Sequence, residues 1–225
     1  MPVDLSFVIP VLNEQAGVMA LLQDLRQRYP GSQLIVVDGG SCDQTVALAM
    51  PLCDLLLLGT RGRAAQMNLG GQAAASDYLF FLHADSRPGA SAAELDTYLA
   101  QRPPWGFCRV QLSGRQPWFR VIEWFMNQRS RLTSVATGDQ MLFMQKSLFA
   151  QTGGFDALPL MEDIAYCKRL RRRARPLLIR EPVLTSSRRW EEGGVVQTVV
   201  RMWLLRLAFF AGVSAHTLAR YYYGA

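Results

Sequence analysis

The sequence predicts an α/β fold: a mostly parallel central sheet flanked by helices, with a helical C-terminal tail. Three observations carry this expectation. Apolar runs of strand length recur at residues 5–12, 33–38, 54–59 and 78–82. Segments of helical spacing separate them, and strands alternating with helices build parallel βαβ units with right-handed crossovers. Within the runs, neighbouring positions are apolar rather than alternating, as in strands covered on both faces.

The first run, residues 5–12, stops at Asn13-Glu14. Leu21, Leu22 and Leu25 give residues 18–28 a helical period, and Tyr29-Pro30-Gly31 closes that helix. The second run, 33–38, ends in Asp38; Gly39-Gly40-Ser41 then turns the chain into a helix headed by Asp43. After the third run comes an Ala- and Gly-rich helix, 64–75, whose small residues allow close packing. The fourth run, 78–82, is halted by His83-Ala84-Asp85-Ser86 and then by Pro88-Gly89. Beyond residue 100 the pattern loosens. Residues 105–112 read as a strand and 116–131 as an amphipathic helix carrying Trp118, Val121, Ile122 and Phe125. A short strand at 141–144, a short helix at 146–152 ended by Gly153-Gly154, a helix at 164–173 opened by Glu162-Asp163, a strand at 176–185 and a largely helical 195–223 complete the chain. A parallel half that holds a nucleotide and a mixed half that shapes a second substrate are expected.

The 225 residues suit a single domain with a sizeable core, and half of them are hydrophobic, which excludes a disordered chain. A net charge of +6, mostly from Arg, favours an anionic partner. Nucleic acid is not favoured, because the arginines are dispersed and no recognition motif occurs. The four cysteines form no CxxC pair or Cys/His cluster and read as reduced, mostly buried thiols of a cytoplasmic protein. No signal peptide is expected at the N-terminus, and 207–215 is too short an apolar stretch to span a bilayer. Peripheral contact with the inner face of a membrane stays open, because the tail mixes Trp203, Leu204, Phe209 and Phe210 with Arg201, Arg206 and Arg220.

Several groups can carry chemistry. Asp85 follows a buried strand, where open α/β sheets bind ligands, and its hard oxygen suits Mg²⁺ or Mn²⁺ on a phosphate; it could equally cap the helix starting near Gly89. Asp38 ends a strand at the same edge and can accept from a base or a ribose hydroxyl. Neither a GxGxxG nor a GxxxxGK[ST] loop is present, so phosphate must be held some other way, and a metal on Asp85 plus arginines would suffice. Glu162-Asp163 opens a helix, where capping would account for one carboxylate and proton abstraction for the other. Arg188-Arg189-Trp190 is either a diphosphate clamp or a basic surface loop. His83 and His216 are more often structural than metal ligands.

Taken in order, these pieces resemble the family-2 glycosyltransferases of the type-A fold. The resemblance rests on 8–14 (VIPVLNE), 36–45 (VVDGGSCDQT), 62–68 (GRAAQMN), 81–86 (FLHADS), 137–140 (TGDQ), Gly153-Gly154-Phe155 and Glu162-Asp163. It is similar in particular to the small group called transferase 2 of radical-SAM and selenodomain association. It implies one domain over 1–190, with a nucleotide half to about residue 100 and an acceptor half from 101 to 190, and a helical extension, 191–225, packed upon it. It implies that Pro10, Asn13, Glu14, Asp38 and Arg63 bind the nucleotide of a nucleotide-sugar donor. Asp85 and His83 would hold the divalent cation, Arg189 and Trp190 the diphosphate, and Asp139 and Gln140 the sugars. Asp163 would be the general base, with Glu162 beside it. The implied reaction is inverting, metal-dependent and non-processive sugar transfer to an acceptor hydroxyl, the acceptor unidentified and lipid-linked as one option. His83 replaces the first Asp of the DxD motif and Ser186 the Gln of QxxRW, so a weaker metal site and no polymer synthesis are expected. A nucleotide-sugar-binding protein without catalysis, or a nucleotidyltransferase, are the rival implications.

Overall fold

The computed structural model describes residues 4–223. Its eight strands form one sheet: β1 (Leu5–Val11), β2 (Gln33–Asp38), β3 (Leu55–Leu58), β4 (Tyr78–Phe81), β5 (Ser86–Arg87), β6 (Trp105–Leu112), β7 (Leu142–Gln145) and β8 (Leu177–Thr185). The strand order is β3-β2-β1-β4-β7-β6-β8-β5. The first four strands in that order are parallel, β7 runs antiparallel between β4 and β6, and β8 returns parallel to β6. The expected division into a parallel and a mixed half is therefore present, with β7 as the seam.

The helices are α1 (Val18–Arg28), α2 (Thr45–Ala49), α3 (Arg63–Ala73), α4 (Ala92–Leu99), α5 (Pro117–Thr133), α6 (Lys146–Thr152), α7 (Glu162–Leu170), α8 (Arg188–Glu192), α9 (Val195–Phe210) and α10 (Ala215–Tyr223). Alternate residues of each central strand face opposite layers. Phe7, Ile9, Val11, Leu34 and Val36 pack with Val18, Leu21, Leu22 and Leu25 of α1 on one side. Val8, Ile35 and Val37 pack with Ala64 and Met67 of α3 on the other. The small residues of α3 do bring it close: a Cβ on Gly70 would lie 2.4 Å from Val8 Cγ1 and 2.9 Å from Val37 Cγ2. The α9–α10 tail seals the same layer through Leu205 and Leu218.

Two expectations change. Helix α4 is capped by Ser91, which accepts from the Glu94 amide while Glu94 returns a bond to the Ser91 N–H, so Asp85 is not its cap. In α5, Trp118, Val121 and Phe125 point outward, and Phe119, Glu123 and Ser130 are the buried face. The cause is the edge of β6. That strand pairs with β7 only at Trp105 and Gly106, leaving its later backbone groups open on one side. Asn127 answers both backbone groups of Val110 at 2.9 Å, and Glu123 accepts the Leu112 N–H at 2.6 Å. The polar side of α5 thus covers a strand edge, which turns its aromatic stripe to the outside. Of the four cysteines only Cys108 and Cys167 are buried, fewer than expected; all four are free thiols.

Replacing Gly70 with Ala should cost about 1–3 kcal/mol, since the methyl must displace two fully buried β-branched side chains. A lowered denaturant midpoint with an unchanged slope checks this; wild-type stability would mean α3 can shift outward without loss.

Candidate active site

β1 and β2 stay paired to their last residues, Val11 beside Asp38, and one side chain ties the two carboxyl ends. Gln66 of α3 is buried, and its amide donates to the carbonyls of Val11 and Val37, each at 2.8 Å. Beyond this point the two loops are laced together. The Asn13 N–H donates to Ser41 Oγ (2.9 Å), Asn13 Oδ1 accepts from the Cys42 N–H (2.9 Å), and the Glu14 N–H donates to Thr45 Oγ1 (2.7 Å). Asn13 adopts a left-handed backbone, φ 55°, to reach across. Asp38 is 3% exposed, and its carboxylate accepts the N–H groups of Gly40 and Ser41 at 2.9 and 3.0 Å and the Ser41 hydroxyl. Asn13 and Asp38 therefore hold the shape of this rim, and Asp38 retains only its remaining lone-pair capacity for a ligand. Pro10 lies buried within β1 opposite Val37.

Asp85 is exposed at the end of β4. The residues after it form β5, which pairs antiparallel with the end of β8, where the Ser86 hydroxyl donates to Thr185 Oγ1 at 2.9 Å. The Ser186 N–H donates to the Asp85 carbonyl at 3.2 Å, so the basic start of helix α8 follows close to Asp85, and the sequence expectation of a basic loop at 188–190 gives way to a helix. Glu14 senses this neighbourhood: partial burial, then the Asp85 charge, push its carboxyl above the ordinary value, against the pull of Arg188 and Arg63. Arg188 is exposed and Trp190 half-buried; the side chain of Arg189 lies outside the described residues.

The third group gathers around a turn. Gly138–Gln140 is a single 3₁₀ turn, with Thr137 and Gln140 forming a capping box. Gln140 is fully buried, accepting from Ser130 Oγ at 2.6 Å and donating to the Cys108 carbonyl at 3.2 Å. Expected beside a sugar, it instead braces the turn that presents Asp139. The Gly138 N–H donates to Asp163 Oδ2 at 2.8 Å, and the Ile164 N–H to Asp163 Oδ1 at 2.7 Å. His83 is buried against the same turn, its Nδ1 3.4 Å from Asp139 Oδ1. Its ring fills the space over Gly138, where a Cβ would meet His83 Cε1 at 2.2 Å.

Burial, reinforced by Asp163, pushes the Glu162 carboxyl up to about 7, with Arg63 and His83 opposing. Asp163 is also raised by burial, countered by its two amide hydrogen bonds. Arg63, the first residue of α3, is exposed yet hemmed in by chain. Burial opposes its charge, but Glu162, Asp139 and Asp163 more than compensate and raise it. Tyr223 of α10 also lies within its reach. Arg129 of α5 faces Asp163 and Asp139 as well, and there burial prevails and lowers it. Arg129 and Gln66 carry no role in the sequence reading. Gln66 falls inside the quoted 62–68 motif; Arg129 has no pattern signal, since α5 reads with the opposite face inward.

Among the described residues, no group of three or more His, Cys, Asp or Glu is arranged to hold a metal. Mg²⁺ and Mn²⁺ do not require one, because they take one or two carboxylates and complete their shell with phosphate oxygens and water. An exposed Asp85 near the basic start of α8 fits a cation shared with a diphosphate.

Residues 6–94 match the family described as Glycosyl transferase family 2. Among curated proteins, the pre-mycofactocin glycosyltransferase of Mycobacterium tuberculosis is 26% identical over 97% of this chain and 48% of its own length. The chain thus spans about half the length of the curated relatives it matches. In fold it is similar to S. aureus TarS 1-349 in complex with UDP (TM-score 0.67, 15% identity, 81% of this chain and 60% of that one). Glucosyl-3-phosphoglycerate synthase of M. tuberculosis, in complex with Mn²⁺, UDP and glucosyl-3-phosphoglycerate, superposes with TM-score 0.62 at 17% identity over 91% of this chain and 80% of that one. The Pyrobaculum calidifontis mannosyltransferase PcManGT, in complex with GDP-Man and Mn²⁺, gives 0.62 at 19% identity over 83% and 57%. These likenesses establish the type-A glycosyltransferase fold.

Glu162 yields a pH prediction. Its carboxyl binds protons more tightly folded, at about 7, than unfolded, at 4.5, so it favours the fold below 4.5 and that contribution is lost as pH rises through 7. Glu162→Gln should therefore be more stable than wild type at pH 8, by on the order of 2 kcal/mol, with the gain vanishing near pH 4. Thermal midpoints of both proteins across that range would reveal it; a gain independent of pH would remove the burial explanation.

Proposed function

We propose, from the premise that residues 6–94 belong to glycosyltransferase family 2 and the fold is type A, that this protein transfers a sugar from a nucleotide-diphosphate donor to an acceptor hydroxyl, with inversion and one sugar per encounter. The observation that carries the reading is the position of Arg63. This single guanidinium is felt by Glu14 on the nucleotide rim and in turn feels Glu162, Asp139 and Asp163 on the acceptor side. Acidic groups from distant parts of the chain thus gather about one guanidinium, at the strand ends where open α/β sheets bind ligands.

In this reading Pro10, Asn13, Glu14 and Asp38 shape the nucleoside pocket, Asn13 and Asp38 chiefly by fixing its loops. Arg63 and the first turn of α8, residues 188–190, attract the diphosphate. A divalent cation on Asp85, when bound with the donor, supplies charge neutralisation for the departing diphosphate. Asp163 receives the proton of the acceptor hydroxyl. Each of its oxygens takes one backbone N–H, which fixes the carboxylate in direction and leaves a lone pair on each. Burial raises its proton affinity, as a general base working near neutral pH requires. Glu162 and Asp163 titrate as a pair, so the acid limb of the rate profile belongs to both. A nucleotidyltransferase is less favoured, because the loop after β1 is tied by Asn13, Glu14 and Gln15 to residues 41–45 and has no Gly- and Arg-rich triphosphate segment.

Asp163→Asn should keep donor binding within about threefold and lose at least about 10²-fold in turnover. Asp85→Ala should abolish the metal dependence of donor binding. The measurements are calorimetric titration of a UDP- and GDP-sugar panel with Mn²⁺, and nucleoside-diphosphate release. Tight donor binding with no release by wild type against any acceptor class would favour a nucleotide-sugar-binding protein without catalysis.

A further inference from the structure

The outward faces of two helices carry long apolar stripes. On α5, Trp118, Val121, Phe125 and Leu132 repeat at spacings of three, four and seven, with Trp124 beside them, and Leu132 is 80% exposed. On α9, Val200, Trp203, Leu204, Leu207 and Phe210 repeat at three and four, and Trp203 is 58% exposed. The inward face of α9 is apolar too: Leu205 is buried, with Met202, Ala208 and Phe209 packed about it. An exposed apolar stripe of this length marks a surface that something apolar covers.

The charges around these faces select the cover. Residues 193–223 contain no Asp or Glu, and their charges are Arg201, Arg206 and Arg220. The end of α7 and the residues after it supply Lys168, Arg169, Arg171, Arg172, Arg173 and Arg175. This basic run touches both helices. The Lys168 ammonium lies 4.0 Å from the ring centroid of Phe210, and the Arg171 guanidinium donates to the carbonyl of Thr133, the last residue of α5, at 2.8 Å. Two apolar stripes rich in Trp and Phe therefore meet a cationic band. A second copy docked by the same face would bring those arginines against one another across a two-fold axis. An anionic lipid surface meets both requirements, with headgroups for the arginines and acyl chains for the aromatic residues. Among the described residues, no helix is long and apolar enough to cross a membrane.

We propose that the outward faces of α5 and α9, with the basic band at 168–175 between them, seat the protein on an anionic membrane surface. The docked tail also reaches the cleft, since α10 ends at Tyr223 near Arg63. The inference does not depend on the transferase reading.

The test is vesicle flotation with phosphatidylcholine alone and with about one-third phosphatidylglycerol, at low and high salt. Binding should require the anionic lipid and fall at least tenfold at high salt. The double variants Trp203→Ser with Leu207→Ser, and Arg172→Glu with Arg173→Glu, replace exposed side chains; each should cut binding at least tenfold while circular dichroism and nucleotide affinity stay as in wild type. No binding to anionic vesicles at low salt by the folded protein overturns the proposal. So does binding that the serine variant leaves intact. A concentration-dependent dimer in sedimentation, dispersed by the serine variant and blind to lipid, would assign the face to a second copy instead.

Discussion

His83 from the parallel half and Asp163 from the mixed half meet at Gly138, the first packing over it and the second accepting its N–H, and the site depends on that meeting. Asp163 opens α7 in the mixed half. Gly138 belongs to a turn held from beneath by Gln140, which reaches α5 through Ser130 and β6 through Cys108. His83, at the end of β4 in the parallel half, packs over that same glycine. Two elements remote in sequence converge on one residue without a side chain. Any Cβ at 138 would push the imidazole away and open the seam. Gly138 is therefore required by close approach and not by backbone angle.

Burying two adjacent carboxylates is unfavourable unless opposite charge or hydrogen bonds offset it. The cleft supplies both, unequally. Asp163 receives two backbone amides, whereas Glu162 relies mainly on Arg63 and His83 and titrates near neutrality. The two arginines show the balance from the other side. Arg63 sits where the carboxylates outweigh burial, and Arg129 where burial outweighs them. A site in which a proton moves between groups of similar affinity needs this kind of near-cancellation. A fully compensated ion-pair network would hold its protons too firmly or too loosely.

Much of this was legible in the sequence, and the limits have physical causes. The strands at 33–38 and 105–112 and the helices at 18–28 and 146–152 coincide with the structure, because burial on known faces writes itself as period and run length. The acidic positions at strand and helix ends, Asp85 and Glu162-Asp163, were visible for the same reason. What stayed hidden depends on partners far along the chain. The aromatic stripe of α5 reads as a core face until the open edge of β6 is seen to need Asn127 and Glu123. Gln140 and Asp38 read as ligand contacts, and only the fold shows that they also brace the backbone, Gln140 through Ser130 and Cys108 and Asp38 through Gly40 and Ser41. Gln66 bridges two carbonyls that no local pattern announces, and Asn68 joins Phe155, 87 residues away, through both backbone groups.

The replacement of a DxD aspartate by His83 becomes intelligible in this electrostatic setting. The nucleotide rim already carries Asp85, Glu14 and Asp43, and Glu14 is raised partly by the other two. A further carboxylate at position 83 would add like charge beside Asp139, Glu162 and Asp163 in a buried cleft, where repulsion is screened least. An imidazole removes that repulsion and packs against Gly138. The consequence falls on the cation, which loses a protein ligand and must rely more on donor phosphates. In such a cleft, metal and diphosphate neutralise one another before they neutralise the protein, so they should enter as a pair, and the empty rim should hold the cation weakly on its own.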